Sequence, residues 1–182
     1  MNPIDTLFQT LRAAKRKAFM PFVTAGDPDL AFTRDLIPAV AESGADLIEV
    51  GFPFSDPIAD GPVIQASYTR ALAHQIKLAD IFATLASVKP GVPLVSMASY
   101  SLMFKRGPAA FIDAAKAAGV SGAVVPDLPV EEAEELSKLA ADRDFKLILL
   151  VTPTTSPARA AKVVKACSGF VYVVSVVGIT GE

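Results

Sequence analysis

Residues 46–62 read DLIEVGFPFSDPIADGP and bring carboxylates of two kinds close together. Glu49 interrupts an apolar, β-branched run, whereas Asp56 and Asp60 sit in a loop stiffened by Pro53, Pro57 and Pro62. A carboxylate inside an apolar strand is desolvated, which raises its pKa and suits it to proton transfer near neutral pH. Strand alternation sets where it points. Ile48 and Val50 share one face, and Leu47, Glu49 and Gly51 share the other. In a barrel the first face packs on helices and the second enters the lumen, with Gly51 leaving space above Glu49. The competing reading pairs Glu49 with an inward Lys or Arg, but no strand candidate offers such a cation near its C-terminal end. Asp56 before Pro57, and Asp60 before Gly61-Pro62, also suit turn and helix-cap roles. Phe52 and Phe54 on so rigid a loop read as a substrate wall or a partner surface. Asp127 reads equally well as the cap of the helix that follows it, His74 as a solvated helix residue, and Cys167 as a small packing residue.

These side chains need elements to hold them, and the chain alternates strands with helices. Strand candidates are 18–26, 46–52, 93–99, 122–127, 146–152 and 170–177, mostly the short continuous apolar runs of parallel strands buried on both faces. Helical patterns cover 107–119, with Pro108 at its start and Gly119 as its stop, and 130–142. Ile4, Leu7, Phe8 and Leu11 share one face of a leading amphipathic helix. Six βα units without a long linker make one α/β domain with a parallel sheet. A doubly wound dinucleotide fold would show G-x-G-x-x-G after the first strand, where this chain reads TAGDPD. Polar residues instead gather at many strand ends: Thr24, Asp27, Glu49, Ser99, Asp127, Thr152 and Ser175. That distribution favours a (β/α)₈ barrel, whose site lies at the C-terminal ends of its strands.

Composition excludes several classes. Hydrophobic residues make up 52% and charged residues 20% of 182, which argues against disorder. Seventeen Lys plus Arg against nineteen Asp plus Glu give a net charge of −2, and no basic run suggests nucleic acid or an anionic membrane. One cysteine precludes an internal disulfide framework and is compatible with a reducing compartment. The N-terminal basic cluster follows the apolar residues, the reverse of a secretory signal, and no apolar stretch is long enough to span a membrane. A cytoplasmic protein is expected.

IEVGFPFSDPIADGPVIQ (48–65) resembles the signature of the tryptophan synthase alpha subunit family. FMPFVTAGDPD (19–29), VPDLPVEE (125–132) and VSVVGITG (174–181) resemble that family too, in the same order, so the likeness spans essentially the whole chain. The resemblance implies a (β/α)₈ TIM barrel that cleaves indole-3-glycerol phosphate to indole and glyceraldehyde 3-phosphate, a carbon–carbon lyase reaction of retro-aldol type in L-tryptophan biosynthesis. It implies no cofactor or metal in this chain. Indole then passes to a beta subunit, in an alpha2beta2 tetramer, where pyridoxal phosphate is expected to join it to serine. By the same resemblance Glu49 is the general acid/base serving C3 of the indole and the glycerol hydroxyl. Asp60 accepts the indole N–H and stabilises a cationic intermediate. Phe22 and Tyr172 line the indole pocket. Thr180 belongs to a loop that closes by contacting Asp60, and Gly181 lends a backbone N–H to the phosphate. Pro53 and Asp56 meet the beta subunit.

Two departures from the family pattern carry expectations. Ser99 and Ser101 stand where the family has Tyr and Asn, with Tyr100 on the opposite strand phase, so an aromatic wall is lost and turnover should fall. Residue 182 lies in the loop after the sixth strand, whereas such a barrel typically needs ~250 residues. The expectation is one barrel domain, 1–182, that lacks strands seven and eight and their phosphate site, with little activity alone. Two alternatives stand beside the lyase: a non-catalytic docking partner of a beta subunit, and another phosphate-binding barrel such as an indole-glycerol-phosphate synthase. The latter is disfavoured because no lysine stands at a strand end.

Overall fold

Apolar residues on both faces of each strand must be covered twice, once by helices and once by the other strands. The computed structural model describes residues 1–57 and 60–175 and meets both demands. Strands β1 (Phe22–Thr24), β2 (Ile48–Gly51), β3 (Leu94–Met97), β4 (Val120–Val124) and β5 (Lys146–Ile148) pair in chain order, all parallel. β6 (Leu150–Val151) continues β5 after a break at Leu149 and pairs in parallel with β7 (Tyr172–Val173). The run predicted as one strand, 146–152, is therefore two pieces. At the break the Leu149 N–H donates to Cys167 Sγ at 3.2 Å, so Cys167 supplies a hydrogen bond as well as packing. The Leu149 carbonyl meanwhile accepts from the Tyr172 N–H at 3.1 Å, which keeps the arc continuous through six strand positions.

The paired cores are shorter than the apolar runs predicted. Only 22–24 of the predicted 18–26 pairs, and residues 176 and 177 of the last candidate lie outside the described residues. The fourth strand starts earlier than the predicted 122. A register shift lets Leu94 pair Val120 while Val95 pairs Gly122. Helices α1 (Pro3–Ala13), α2 (Leu30–Glu42), α3 (Pro62–Ala73), α4 (Leu78–Ala86), α5 (Tyr100–Arg106), α6 (Pro108–Ala117), α7 (Glu134–Asp142) and α8 (Pro157–Ala166) complete the order. The segment predicted as one helix over 130–142 opens as a 3₁₀ turn, Val130–Glu132, before α7 begins.

Two apolar layers result. Ile48 and Val50 point outward into a core shared with Ile37, Leu85, Phe111 and Leu136 of the helices. Leu47, Val95, Val124 and Ile148 point inward and meet Ile4 of α1. This is the alternation read from the sequence, and it makes the arc that of a (β/α)₈-type barrel. α1 covers the N-terminal ends of the strands. There the buried Asn2 donates from Nδ2 to the carbonyls of Ser121 (3.0 Å) and Asp144 (2.9 Å), and its Oδ1 accepts from the Ile4 N–H (2.9 Å). Asp5 pairs with Lys146 at 2.6 Å at the same end. The strands' C-terminal ends are left for the site. Among the described residues no helix is long and apolar enough to cross a membrane.

Candidate active site

β2 sends Glu49 into the lumen, in register with Phe22 of β1 and Val95 of β3. Glu49 is 4% exposed. Burial is the one cause acting on its carboxyl, and it pushes the pKa up to about 7, where the acid and its base are both populated near neutrality. Lys146 does not pair with it, being engaged with Asp5 at the start of β5. Among the described residues Glu49 is thus a buried carboxyl without a counter-charge, the arrangement that costs stability and suits proton transfer.

Gly51, one step up the same face, does not leave open space above Glu49 as its missing side chain suggests. A Cβ there would lie 2.3 Å from the Phe22 ring and 2.9 Å from the Tyr68 hydroxyl. Glycine at 51 instead lets a ring from β1 and a phenol from α3 approach the strand backbone. Any larger residue would push both away.

Above this layer a cavity of about 260 Å³ opens between the β2–α3 loop and the ends of β3 and β4. Its lining includes Phe54, Asp60, Tyr68, Met97, Ser99 and Asp127. Asp60 is half-buried, and it is not a helix cap. Gly61 caps α3 with no side-chain bond, and the Asp60 residue is held through its backbone, with its carbonyl accepting from Gln65 Nε2 at 2.6 Å. Burial, and then the negative charge of Asp127, push the Asp60 carboxyl above its ordinary value. Tyr172 links the two levels. Burial raises the pKa of its hydroxyl, and the charges of both Glu49 and Asp60 raise it further.

Several loop readings change on this geometry. Phe52 is 1% exposed and belongs to the outer core, its ring 5.5 Å from Phe82 and 6.1 Å from Phe111. Contacts of this kind are worth about 0.5–1.5 kcal/mol each beyond the area they bury. Phe52 also borders the cavity, and Phe54, two residues on, lines it as well. Asp127 does not cap the helix that follows it. Its Oδ1 accepts from the Tyr100 N–H at 2.7 Å and its Oδ2 from the Ser99 hydroxyl at 2.6 Å, so it caps α5 from the neighbouring strand end. The Ser99 hydroxyl is therefore already committed. Tyr100 faces outward and packs its ring 6.1 Å from Phe104. Pro53 is buried, whereas Asp56 is exposed and accepts from the Ser55 hydroxyl at 2.6 Å. Thr24 bonds Ser67 at 2.8 Å, and Asp27 is held by Arg70 through two bonds of 2.8 and 2.6 Å. Those two strand-end groups serve structure. His74 is exposed, as read. Thr180 and Gly181 lie outside the described residues. Tyr68 is the site residue that sequence reasoning missed.

A parallel arc with a buried carboxyl in its lumen and a second carboxylate at its rim defines a (β/α)-barrel protein of acid–base type. The sequence profile of the tryptophan synthase alpha chain matches residues 8–182, and the chain belongs to that family. It is 51% identical over 187 residues to the tryptophan synthase alpha chain of Rhodopirellula baltica, covering 100% of this chain and 67% of that one. It is 49% identical over 183 residues to that of Synechocystis sp., covering 100% and 69%. Among solved structures, tryptophan synthase subunit alpha from Legionella pneumophila superposes with a TM-score of 0.92 at 36% identity, over 96% of this chain and 68% of the other. Tryptophan synthase from Mycobacterium tuberculosis gives a TM-score of 0.92 at 34% identity, over 98% and 70%.

Proposed function

We propose that this chain performs the retro-aldol cleavage of indole-3-glycerol phosphate to indole and glyceraldehyde 3-phosphate, with Glu49 and Asp60 as its working carboxylates. The observation that carries this reading is Glu49 itself, buried in the lumen with no counter-charge among the described residues, its pKa pushed up to about 7. In its acid form it protonates C3 of the indole. The resulting carboxylate takes the proton of the adjacent glycerol hydroxyl as the C3–carbon bond breaks and the new carbonyl forms. The proton count closes on one residue, which needs a pKa near the working pH. Asp60, at the rim and free of capping duty, accepts the indole N–H and faces the positive charge that C3 protonation creates. Phe22 and Tyr172 flank the two carboxylates and form the flat apolar walls an indole requires.

Product indole is consumed by a beta subunit bearing pyridoxal phosphate, and Asp56, exposed on the same loop, is the residue best placed to meet it. Pro53 is buried beneath that surface and acts by fixing the loop. Thr180 and Gly181 complete the reading as loop closure over Asp60 and a phosphate contact. This chain's own chemistry needs only proton transfer and electrostatics. The test is indole release by Glu49→Gln in the natural full-length protein. The amide keeps size and shape but cannot carry the proton, so the rate should fall by a factor of ~10² or more with little change in KM. Activity within a few-fold of wild type would remove Glu49 from the reaction.

A further inference from the structure

Two of the less exposed polar groups lining the cavity make no side-chain hydrogen bond among the described residues. One is the Asp60 carboxylate, and the other is the hydroxyl of Tyr68, a residue only 4% exposed. A phenol donor and a half-buried carboxylate acceptor that open onto one cavity satisfy one another when joined. Both line one cavity, and the Asp60 charge acts on the Tyr68 hydroxyl. α3 begins at Pro62, just after Asp60, and helical side chains lean back toward the helix N-terminus, so Tyr68 on the inward face reaches under the turn that carries Asp60. Gly51 sets the depth, since a Cβ there would lie 2.9 Å from the Tyr68 hydroxyl.

We propose that Tyr68 is the positioning residue for Asp60: its hydroxyl donates a hydrogen bond to the carboxylate, directly or through one water, and holds it ionised toward the indole. This rests on the role given to Asp60 above. The need for such a donor is electrostatic. Burial and the Asp127 charge both favour the neutral acid at Asp60, whereas stabilising a cation requires the carboxylate. A donor aimed at the charged form works in the opposite sense. Burial and the Asp60 charge in turn keep the Tyr68 phenol protonated, so it remains a donor wherever the site operates. Its position on a helix, outside every strand end, explains why the strand pattern does not reveal it.

The experiment titrates the Asp60 carboxyl by ¹³C NMR in the natural full-length protein, with indole present and the signal assigned through Asp60→Asn. Tyr68→Phe keeps the ring beside Phe22 and removes only the hydroxyl. The Asp60 midpoint should rise by about half a unit or more in Tyr68→Phe, and the acid limb of the kcat profile should move up with it. At neutral pH kcat should fall by roughly threefold to tenfold, with KM changing less. In an Asp60→Asn background, Tyr68→Phe should have no further effect on kcat. An Asp60 midpoint and an acid limb that both stay in place would overturn the proposal and leave Tyr68 as packing. If Asp60→Asn releases indole at the wild-type rate, the role of Asp60 in the reaction is what fails, and the NMR midpoint still decides the hydrogen bond.

Discussion

At the scale of single residues, Glu49 makes a prediction that needs no substrate. The native state keeps the Glu49 proton up to about 7, whereas the unfolded chain releases it near the ordinary 4.5. Between those values the native state binds more protons, so stability falls as pH rises through the window, and the full penalty is present above it. Glu49→Gln should therefore match wild type at about pH 4 and exceed it by on the order of 2–3 kcal/mol at about pH 8. Denaturant midpoints at the two pH values check this, and a difference independent of pH would mean that Glu49 has a counter-charge in solution. Glu49 was legible in the sequence because alternation alone sets its direction: Ile48 and Val50 are claimed by helices, leaving Leu47 and Glu49 inside. Tyr68 was not legible. It stands at helical spacing from Ala71, which reads as an ordinary buried stripe, and only the approach to Gly51 shows what it faces. Asp127 likewise looked like a local cap because its partners, Ser99 and Tyr100, lie across a strand boundary that sequence distance conceals.

Elements were legible where one face had to be apolar, and their ends were not. The leading helix followed from Ile4, Leu7, Phe8 and Leu11: the first three pack in or against the inner core, and Leu11 is buried beside them. Strand ends depended instead on register with neighbours, as at Leu94 and Val120, and on the Cys167 contact that interrupts the fifth strand. What the sequence concealed about α1 is how it is fastened. Asn2 is 2% exposed and serves at once as the N-cap of α1 and as a double donor, to the Ser121 carbonyl within β4 and to the Asp144 carbonyl just before β5. Asn2→Ala removes all three bonds and leaves the buried Ser121 carbonyl and the part-buried Asp144 carbonyl short of a donor. A loss of about 2–3 kcal/mol is expected, several times that of an exposed cap. Asn2→Asp separates the two functions, because it keeps the capping oxygen but cannot donate to the carbonyls. It should lose most of the same stability, and a near wild-type denaturant midpoint would show that capping alone fastens α1.

At the scale of the whole molecule, the described arc is open. Among the described residues β1 pairs only with β2, and β7 only with β6, so each presents backbone N–H and C=O groups along one side. Apolar side chains gather at both edges. Phe32 and Val63 flank a groove over β1, and Val173 on β7 is 69% exposed. No charged residue lies within β1 or β7 to deter pairing with another chain. A soluble domain covers such edges or blunts them with charge. Residues 1–182 expressed alone should therefore retain helical and strand structure but self-associate, giving a mass well above one chain by light scattering and a broad unfolding transition. Val173→Lys is the discriminating variant, since it puts a charge on the free edge at a position that supports no core contact. It should shift the distribution toward monomer without altering the circular dichroism spectrum. A monodisperse monomer with a sharp transition, before any substitution, would mean that the two edges cover each other in solution and that the arc closes on itself.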